Sequence, residues 1–580
     1  DQAFAYVKWL FACVQAMELN APVPSGESYF PGLNFKTGVV LKTPFVGCLS
    51  FIDEAIRRGG RGTWKLEEHR AAAQIAAGKR AMPYPSIKMQ RKSVLETIEI
   101  MTDDSFVLTD EAERAYKGGL QAIKRRLSEL NWHSQTKSSL TNSGSWESPR
   151  SEGGRAEVMM SRCREVCDQV LTESMIDSFV GTIDCFDEPL LEASAAELLR
   201  MFMRDNPEER PTLGDVLYVP THEMTQVLQR TIGVNRVPKY LGNIVASVAS
   251  TMVESFGRYN GVSVLSYGLI RFAPESKGQI KFTPNHDIDS LPVRAAISIE
   301  SGGKSRLVTA GLAAVTQLEQ LVRHSVADYL SNDPFTKIGF EEGDKLWEVL
   351  KAYARLKTAK HDQMQIISTD LSEATYRMPH RILEINREFM AEIMPNDPVL
   401  RVFKDLFRIH PRSIDLGDLL EKGVLDLDSV KGHRVITSSR GAFMGDSLSF
   451  MDLTLVMMSS VWQASFKTMY PARPRSQLLY YDGYIARPIG QTVGDDLVVT
   501  GAPAGFGQEL RTAFEAVGLK VSKIDAISDD SGTFCEQYFC RPQDVDEQSL
   551  LDYNKVSTFG DIIFLDVVKG SILSRKAKVK

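Results

Sequence analysis

The stretch QTVGDDLVVT, residues 491–500, sets two aspartates between two short β-branched runs. A Gly-Asp pair flanked by alternating apolar residues is a strong hairpin signal, which places Gly494 and Asp495 at the tip of a turn. The turn accounts for one aspartate and leaves Asp496 as a second carboxylate beside the first. Adjacent like charges repel by about 1 kcal/mol or more at close range. Such a pair belongs either on a solvated turn or next to something cationic.

The segments around the hairpin supply its context. MQIISTD, residues 364–370, reads as a short buried strand ending in Asp370, and Met378, Ile382, Ile385, Phe389 and Ile393 recur behind it at helical spacing. RAAISIE, residues 294–300, alternates like a strand, with a helix following over about 313–330. A long apolar helix is predicted from about Ser449, 45 residues or so before the hairpin. Further helices are expected over 157–204 and 242–255. Strand, helix, helix and antiparallel hairpin in that order predict an α+β fold and not a doubly wound parallel sheet.

At 580 residues the chain is long enough for three or four subdomains. Its 43% hydrophobic and 24% charged residues are those of a globular protein, and no apolar run is long enough to span a membrane. The net charge of −6 excludes a uniformly basic nucleic-acid binder but not a basic channel. Cations are indeed clustered at Arg57–Lys65, Lys79–Lys92, Lys124–Arg126 and Arg575–Lys580. Seven cysteines give no disulfide framework, and Cys163 and Cys167, one helical turn apart, lack the partners of a zinc site. SQTKSSLTNSGSWESPRSEGG, residues 134–154, lacks apolar periodicity and reads as a flexible surface loop.

Four segments could carry chemistry. ESGGKSRLVT, residues 300–309, ends like a phosphate-binding P-loop, but Ser298 stands where that motif needs a glycine, so the P-loop reading fails. What remains is Lys304 and Arg306 on one face of an extended segment, fit to meet a triphosphate or to protect a strand edge. In STDLSEATY, residues 368–376, Asp370 is placed either as a metal ligand or as a helix cap with Glu373 three residues on. GAFMGDSLSFMDLTLVMM, residues 441–458, puts Gly445, Ser447 and Ser449 in a small-residue loop ahead of the long helix. KVSKIDAISDDSGTFCEQYF, residues 520–539, carries Lys523 in a strand-like run before an aromatic strand.

Taken in order, these segments resemble the motifs of viral RNA-dependent RNA polymerases, specifically the narnavirus and ourmia-like group related to the RNA-phage replicases. ESGGKSRLVT resembles motif F, STDLSEAT motif A, MGDSLSF motif B, VGDD motif C, the SKIDAISDD region motif D and GTFCEQYF motif E. The resemblance runs from about Pro292 to Phe539; residues 1 to about 210 carry no motif that can be placed.

The resemblance implies a right-hand polymerase with fingers, palm and thumb and a largely helical N-terminal region. Its parts would be an N-terminal helical region over 1–132, the flexible loop over 133–156 and fingers with motif F over 157–362. The palm would span 363–540, with fingers insertions around 395–440, and 541–580 would begin the thumb. Two Mg²⁺ ions, with Mn²⁺ as a substitute, would be held by Asp370 and Asp495 with Asp496 as the auxiliary carboxylate. Lys304 and Arg306 would clamp the incoming triphosphate, while Ser449, Gly445 and Tyr376 would line the nucleotide site. Lys523, with Lys520 as the alternative, would protonate pyrophosphate. Tyr376 stands where the family carries a second motif-A aspartate that helps read the 2′-hydroxyl.

The partners implied are an RNA template, nascent RNA and NTPs, in a ribonucleoprotein with the viral genome. The host cytoplasm is the expected compartment, with the mitochondrion as the alternative. Two competing readings are an RNA-templated DNA polymerase and a catalytically inactive RNA-binding scaffold.

Overall fold

The computed structural model describes residues 84–127, 143–158, 270–274, 280–284, 290–300, 304–340, 365–395 and 410–521. It adds shorter pieces at 14, 69–74, 400, 407, 526–528, 531–535, 537–540, 558–559 and 562–565. The helices expected over 242–255 and most of 157–204, Lys523, and most of the thumb segment lie outside the described residues.

Two helices open the described chain, α1 (Ile87–Thr102) and α2 (Asp110–Leu127). Ser86 caps α1 by accepting from the Met89 N–H. In α2, Asp110, Glu111 and Glu113 stand in the first turn and Lys124–Arg126 in the last, which complements the helix dipole at both ends. Strands β1 (Ile270–Pro274) and β2 (Ile280–Pro284) form a separate antiparallel pair.

A first four-stranded sheet is built from β3 (Leu291–Glu300), β4 (Lys304–Ala310), β6 (Arg412–Asp415) and β7 (Val435–Thr437) in the order β4-β3-β6-β7. Only the β3–β6 pairing in it is parallel. Part of the segment expected as an insertion, 395–440, therefore supplies two strands of the sheet that carries Lys304 and Arg306.

The second four-stranded sheet contains β5 (Gln365–Thr369), β8 (Ile489–Val493), β9 (Asp496–Ala502) and β10 (Ala526–Ser528) in the order β10-β5-β9-β8. Every pairing in it is antiparallel. Ile367, Leu497 and Val499 point from one face into the main core. The helices on that side are α3 (Ala313–Ser331), α4 (His380–Ile393), α5 (Ser449–Met469) and α6 (Phe506–Ala516). α5 is buried around almost its whole circumference from Ser449 to Phe466, which is why its sequence is apolar throughout and not striped. A third sheet, β11 (Ser531–Phe534), β12 (Gln537–Cys540), β14 (Ile562–Leu565) and β13 (Thr558–Phe559), leans on the other face, where the Thr533 N–H donates to Ser368 Oγ at 3.0 Å. The result is a mixed helix-and-sheet fold. Among the described residues no helix is long and apolar enough to cross a membrane.

Helices α1 and α2 belong to these same cores and do not form a separate N-terminal layer. Tyr116 Oη donates to Asn386 Oδ1 at 2.5 Å, Asn386 Nδ2 donates to Asp452 Oδ1 at 3.0 Å, and Arg387 forks onto both oxygens of Asp452 at 2.6 and 2.9 Å. This buried network joins α2, α4 and α5. At its edge Arg381 grips Glu113 through two hydrogen bonds and holds that carboxyl down at about 2.

Of the Ser/Gly-rich stretch, residues 134–142 lie outside the described residues. Residues 143–155 are hydrogen-bonded in place: the Trp146 N–H donates to the Gly311 carbonyl, Arg294 to the Ser145 carbonyl, and the Glu147 carboxylate accepts from the Ala313 N–H at the start of α3. Ser145, Ser148 and Arg155 are buried. Backbone groups make most of these bonds, so low apolar content does not by itself leave a segment loose.

Candidate active site

The hairpin reading of residues 491–500 is realised in β8 and β9, which close at the Val493–Asp496 pair with Gly494 and Asp495 as the turn. Gly494 has φ +64°, while Asp495 is not among the positive-φ residues. Glycine at the first turn position is what a type II′ hairpin requires. On the other side of β9, Ser368 pairs with Val498 and Thr369 with Leu497. β5 ends at Thr369, so Asp370 is the first residue beyond the paired ladder, while Asp496 is the first residue of β9. The pairing therefore brings the end of β5, and Asp370 after it, to the same end of the sheet as the turn that carries Asp495 and Asp496.

Asp370 is exposed, and Asp495 and Asp496 are half-buried. Beyond Asp370 the chain is pinned to the 520–521 segment: Leu371 bridges Val521, and the Ser372 N–H donates to the Lys520 carbonyl at 2.8 Å. Lys520, the alternative to Lys523, thus has its backbone two residues from Asp370. A capping box does not form. Glu373 is itself the N-cap of the short turn Ala374–Arg377, in left-handed conformation and with no side-chain capping bond.

Among the described residues no group of three or more His, Cys, Asp or Glu converges to hold a metal ion. The carboxylates of Asp370, Asp495 and Asp496, at one end of the sheet, are nonetheless hard oxygen donors. Mg²⁺ is characteristically bound by one or two carboxylates, with water and substrate phosphate completing its shell. The residues present fit that partial shell.

The loop Gly441–Leu448 leads into α5 beside this sheet. Gly445 is seated so closely on β4 that a Cβ there would overlap the Thr309 carbonyl oxygen, which only glycine permits. Asp446 accepts from Arg412 Nη2 at 2.9 Å, and Ser447 bonds to α3 twice, from its N–H to Glu319 Oε2 and from its hydroxyl to the Thr316 carbonyl, each at 3.0 Å. Ser449 is buried and its hydroxyl donates to the Phe443 carbonyl. In this structure Gly445 and Ser449 shape the loop from within. Sequence reasoning missed Thr316 and Glu319, whose one signal was a run of polar residues, Thr316, Gln317, Glu319 and Gln320, on a helix that buries them, and it missed Arg412 on β6, which gave no signal.

Tyr376 is 1% exposed, packs in the core with Val293, Leu307 and Phe443, and donates its hydroxyl to the Leu307 carbonyl. Burial pushes its ionisation well above the usual tyrosine range. In this structure the hydroxyl is engaged inside the protein, the arrangement expected of a packing residue. Tyr376→Phe is expected to cost about 0.5–1.5 kcal/mol of stability and to leave any preference between NTP and dNTP unchanged. Urea unfolding and matched single-nucleotide incorporation measure the two; a changed preference would return the hydroxyl to the site.

Lys304 and Arg306 lie on β4, an edge strand, with Lys304 exposed and Arg306 Nε 3.2 Å from Glu300 Oε1. The strand touches both other candidate segments, through Leu307 to Tyr376 and through Thr309 to Gly445. The structure thus gathers the 304–310, 370–376 and 441–449 segments into one neighbourhood. The GDD turn joins them through the β5–β9 pairing.

No protein-family profile and no curated protein matches this chain. Among solved structures, the RNA-dependent RNA polymerase of a human picobirnavirus is similar at 14% identity and a TM-score of 0.33, over 51% of this chain and 51% of that one. An RNA polymerase complex inside a dsRNA virus gives 8% identity and a TM-score of 0.32, over 43% of this chain and 21% of the other. The BmCPV RNA-dependent RNA polymerase at its elongation state gives 7% identity and a TM-score of 0.31, over the same two shares. This chain spans between about a fifth and a half of the length of those polymerases. At such scores the likeness is partial, and the functional reading rests on the site.

Proposed function

We propose that this chain is an RNA-dependent RNA polymerase of the narnavirus and ourmia-like kind, copying a single-stranded viral RNA genome from NTPs. The observation that supports the reading is the β5–β9–β8 pairing, which brings the end of β5, next to Asp370, to the same end of the sheet as the turn carrying Asp495 and Asp496. In this reading the β10-β5-β9-β8 sheet with its helices is the palm, and the β3–β4 hairpin belongs to the fingers.

Asp370 and Asp495, assisted by Asp496, would hold two Mg²⁺ ions, with Mn²⁺ as a substitute. When bound, such ions supply activation of the attacking 3′-hydroxyl and stabilisation of the leaving oxygens. The protein's own residues do the rest. Lys304 and Arg306 bind and orient the triphosphate by charge and directed hydrogen bonds; for Arg306 this means exchanging Glu300 for phosphate. The loop Gly441–Leu448 borders the ribose with its backbone, and Lys523 or Lys520 delivers a proton to the departing pyrophosphate. Template and nascent RNA are the macromolecular partners, within a ribonucleoprotein in the host cytoplasm or, as the alternative, the mitochondrion.

The test is primer extension on an RNA template with NTPs or dNTPs, in Mg²⁺ or in EDTA. Incorporation of NTPs in Mg²⁺, abolished by EDTA, is the expected result. Incorporation of dNTPs in place of NTPs would make the chain an RNA-templated DNA polymerase, and RNA binding without synthesis would make it an inactive scaffold.

A further inference from the structure

The loop that borders the candidate site is held from below by helix α3, and the holding group is an acid with almost no access to water. Glu319 is 3% exposed and accepts from the Ser447 N–H at 3.0 Å, while one turn earlier the Thr316 carbonyl accepts from the Ser447 hydroxyl at 3.0 Å. On the other side Gly445 rests against the Thr309 carbonyl, and Asp446 is tethered to the buried Arg412. Three consecutive residues of the loop are therefore fixed by three different elements, and Ser447 is the one fixed by an acidic side chain.

We infer that Glu319 is the positioning residue of the Gly441–Leu448 loop: its carboxyl group sets the seat of Ser447 and so the wall that the loop presents to a bound nucleotide. The nucleotide part of this inference rests on the polymerase reading above; the seating part does not.

The charged surroundings of Glu319 come from several elements. Asp446 faces it from the loop, Arg412 from β6, Arg387 from α4, with Asp452 of α5 paired to Arg387, and Arg155 from the 143–158 segment. Burial, then the nearby Asp446, push the Glu319 carboxyl up to about 8. Near neutral pH the protonated form prevails, and its carbonyl oxygen still accepts from Ser447. The folded state favours that protonated form, so its contribution to stability is complete below the ordinary value of 4.5 and is lost as pH rises through about 8. Ionisation would then place a second carboxylate against Asp446 and compete for Arg412, loosening the tether of the residue next to Ser447.

Two variants separate the roles. Glu319→Gln keeps an acceptor for the Ser447 N–H and cannot ionise; Glu319→Ala removes the acceptor. With the full chain, we expect Glu319→Gln to match wild type in hydrogen exchange over 441–449 at pH 7 and to lack the part of the wild-type fall in melting temperature that this carboxyl causes as pH rises from about 4.5 to about 8. Glu319→Ala should exchange faster over 441–449 and raise the KM for nucleotide about threefold to tenfold, the equivalent of one lost hydrogen bond, with a smaller change in kcat. Superimposable melting curves against pH for wild type and Glu319→Gln would overturn the inference, as would unchanged loop exchange in Glu319→Ala. Should wild type incorporate no nucleotide at all, the polymerase reading fails, while exchange and melting still decide the seating role.

Discussion

Asp370→Asn is expected to lower nucleotide incorporation by at least about a hundredfold while leaving the melting temperature unchanged. The side chain is exposed at the end of β5, so the isosteric amide disturbs no core contact. What it removes is one of the negative charges at this end of the sheet, where the turn also carries Asp495 and Asp496. Charge stabilisation by bound metal is worth several kcal/mol in phosphoryl transfer, and each 1.36 kcal/mol is tenfold in rate. Asp495→Asn should act in the same direction, because the turn carries that carboxylate at the same end of the sheet. Incorporation at the wild-type rate in Asp370→Asn, with the same Mg²⁺ dependence, would remove the β5 terminus from the active site.

The largest loss of stability is expected from breaking the Arg387–Asp452 pair. Both side chains are buried and joined by two hydrogen bonds, and Asn386 adds a third to Asp452. Removing one partner strands a charge in the core, which typically costs about 3–5 kcal/mol. Arg387→Ala and Asp452→Ala should each show a deficit of that size in urea unfolding. A joint replacement, Arg387→Met with Asp452→Leu, should recover most of it, since apolar residues of similar volume need no partner. A deficit below about 1 kcal/mol in both single variants would mean that the pair behaves as a surface contact.

The elements that carry the carboxylates were legible because their signals are local. Gly494 announces the turn, the β-branched runs announce β8 and β9, and the apolar spacing behind Asp370 announces α4. The residues harder to read depend on partners far along the chain. Tyr376 looks like a polar tip near the chemistry, but its hydroxyl is claimed by Leu307, 69 residues away. Glu319 attracts no reading from the sequence, because a buried acid and an exposed one are spelled alike; only the loop it supports, 128 residues on, distinguishes them. Ser143–Arg155 is the reverse case: composition records side chains, and the ties of that segment run largely through its backbone.

The contact between α2 and α5 also sets a timetable for biosynthesis. Ser459 Oγ donates to the Tyr116 carbonyl across a sequence separation of 343 residues. At about 5–20 residues per second, a ribosome needs roughly 20–70 s to deliver the second partner after the first. During that interval the apolar side of α2, with Tyr116, Leu120 and Ile123, has emerged without the helix that covers it. A nascent chain of this protein therefore spends that interval with a sticky amphipathic helix on offer, and chaperone occupancy should peak there and fall once residue 469 has cleared the exit tunnel.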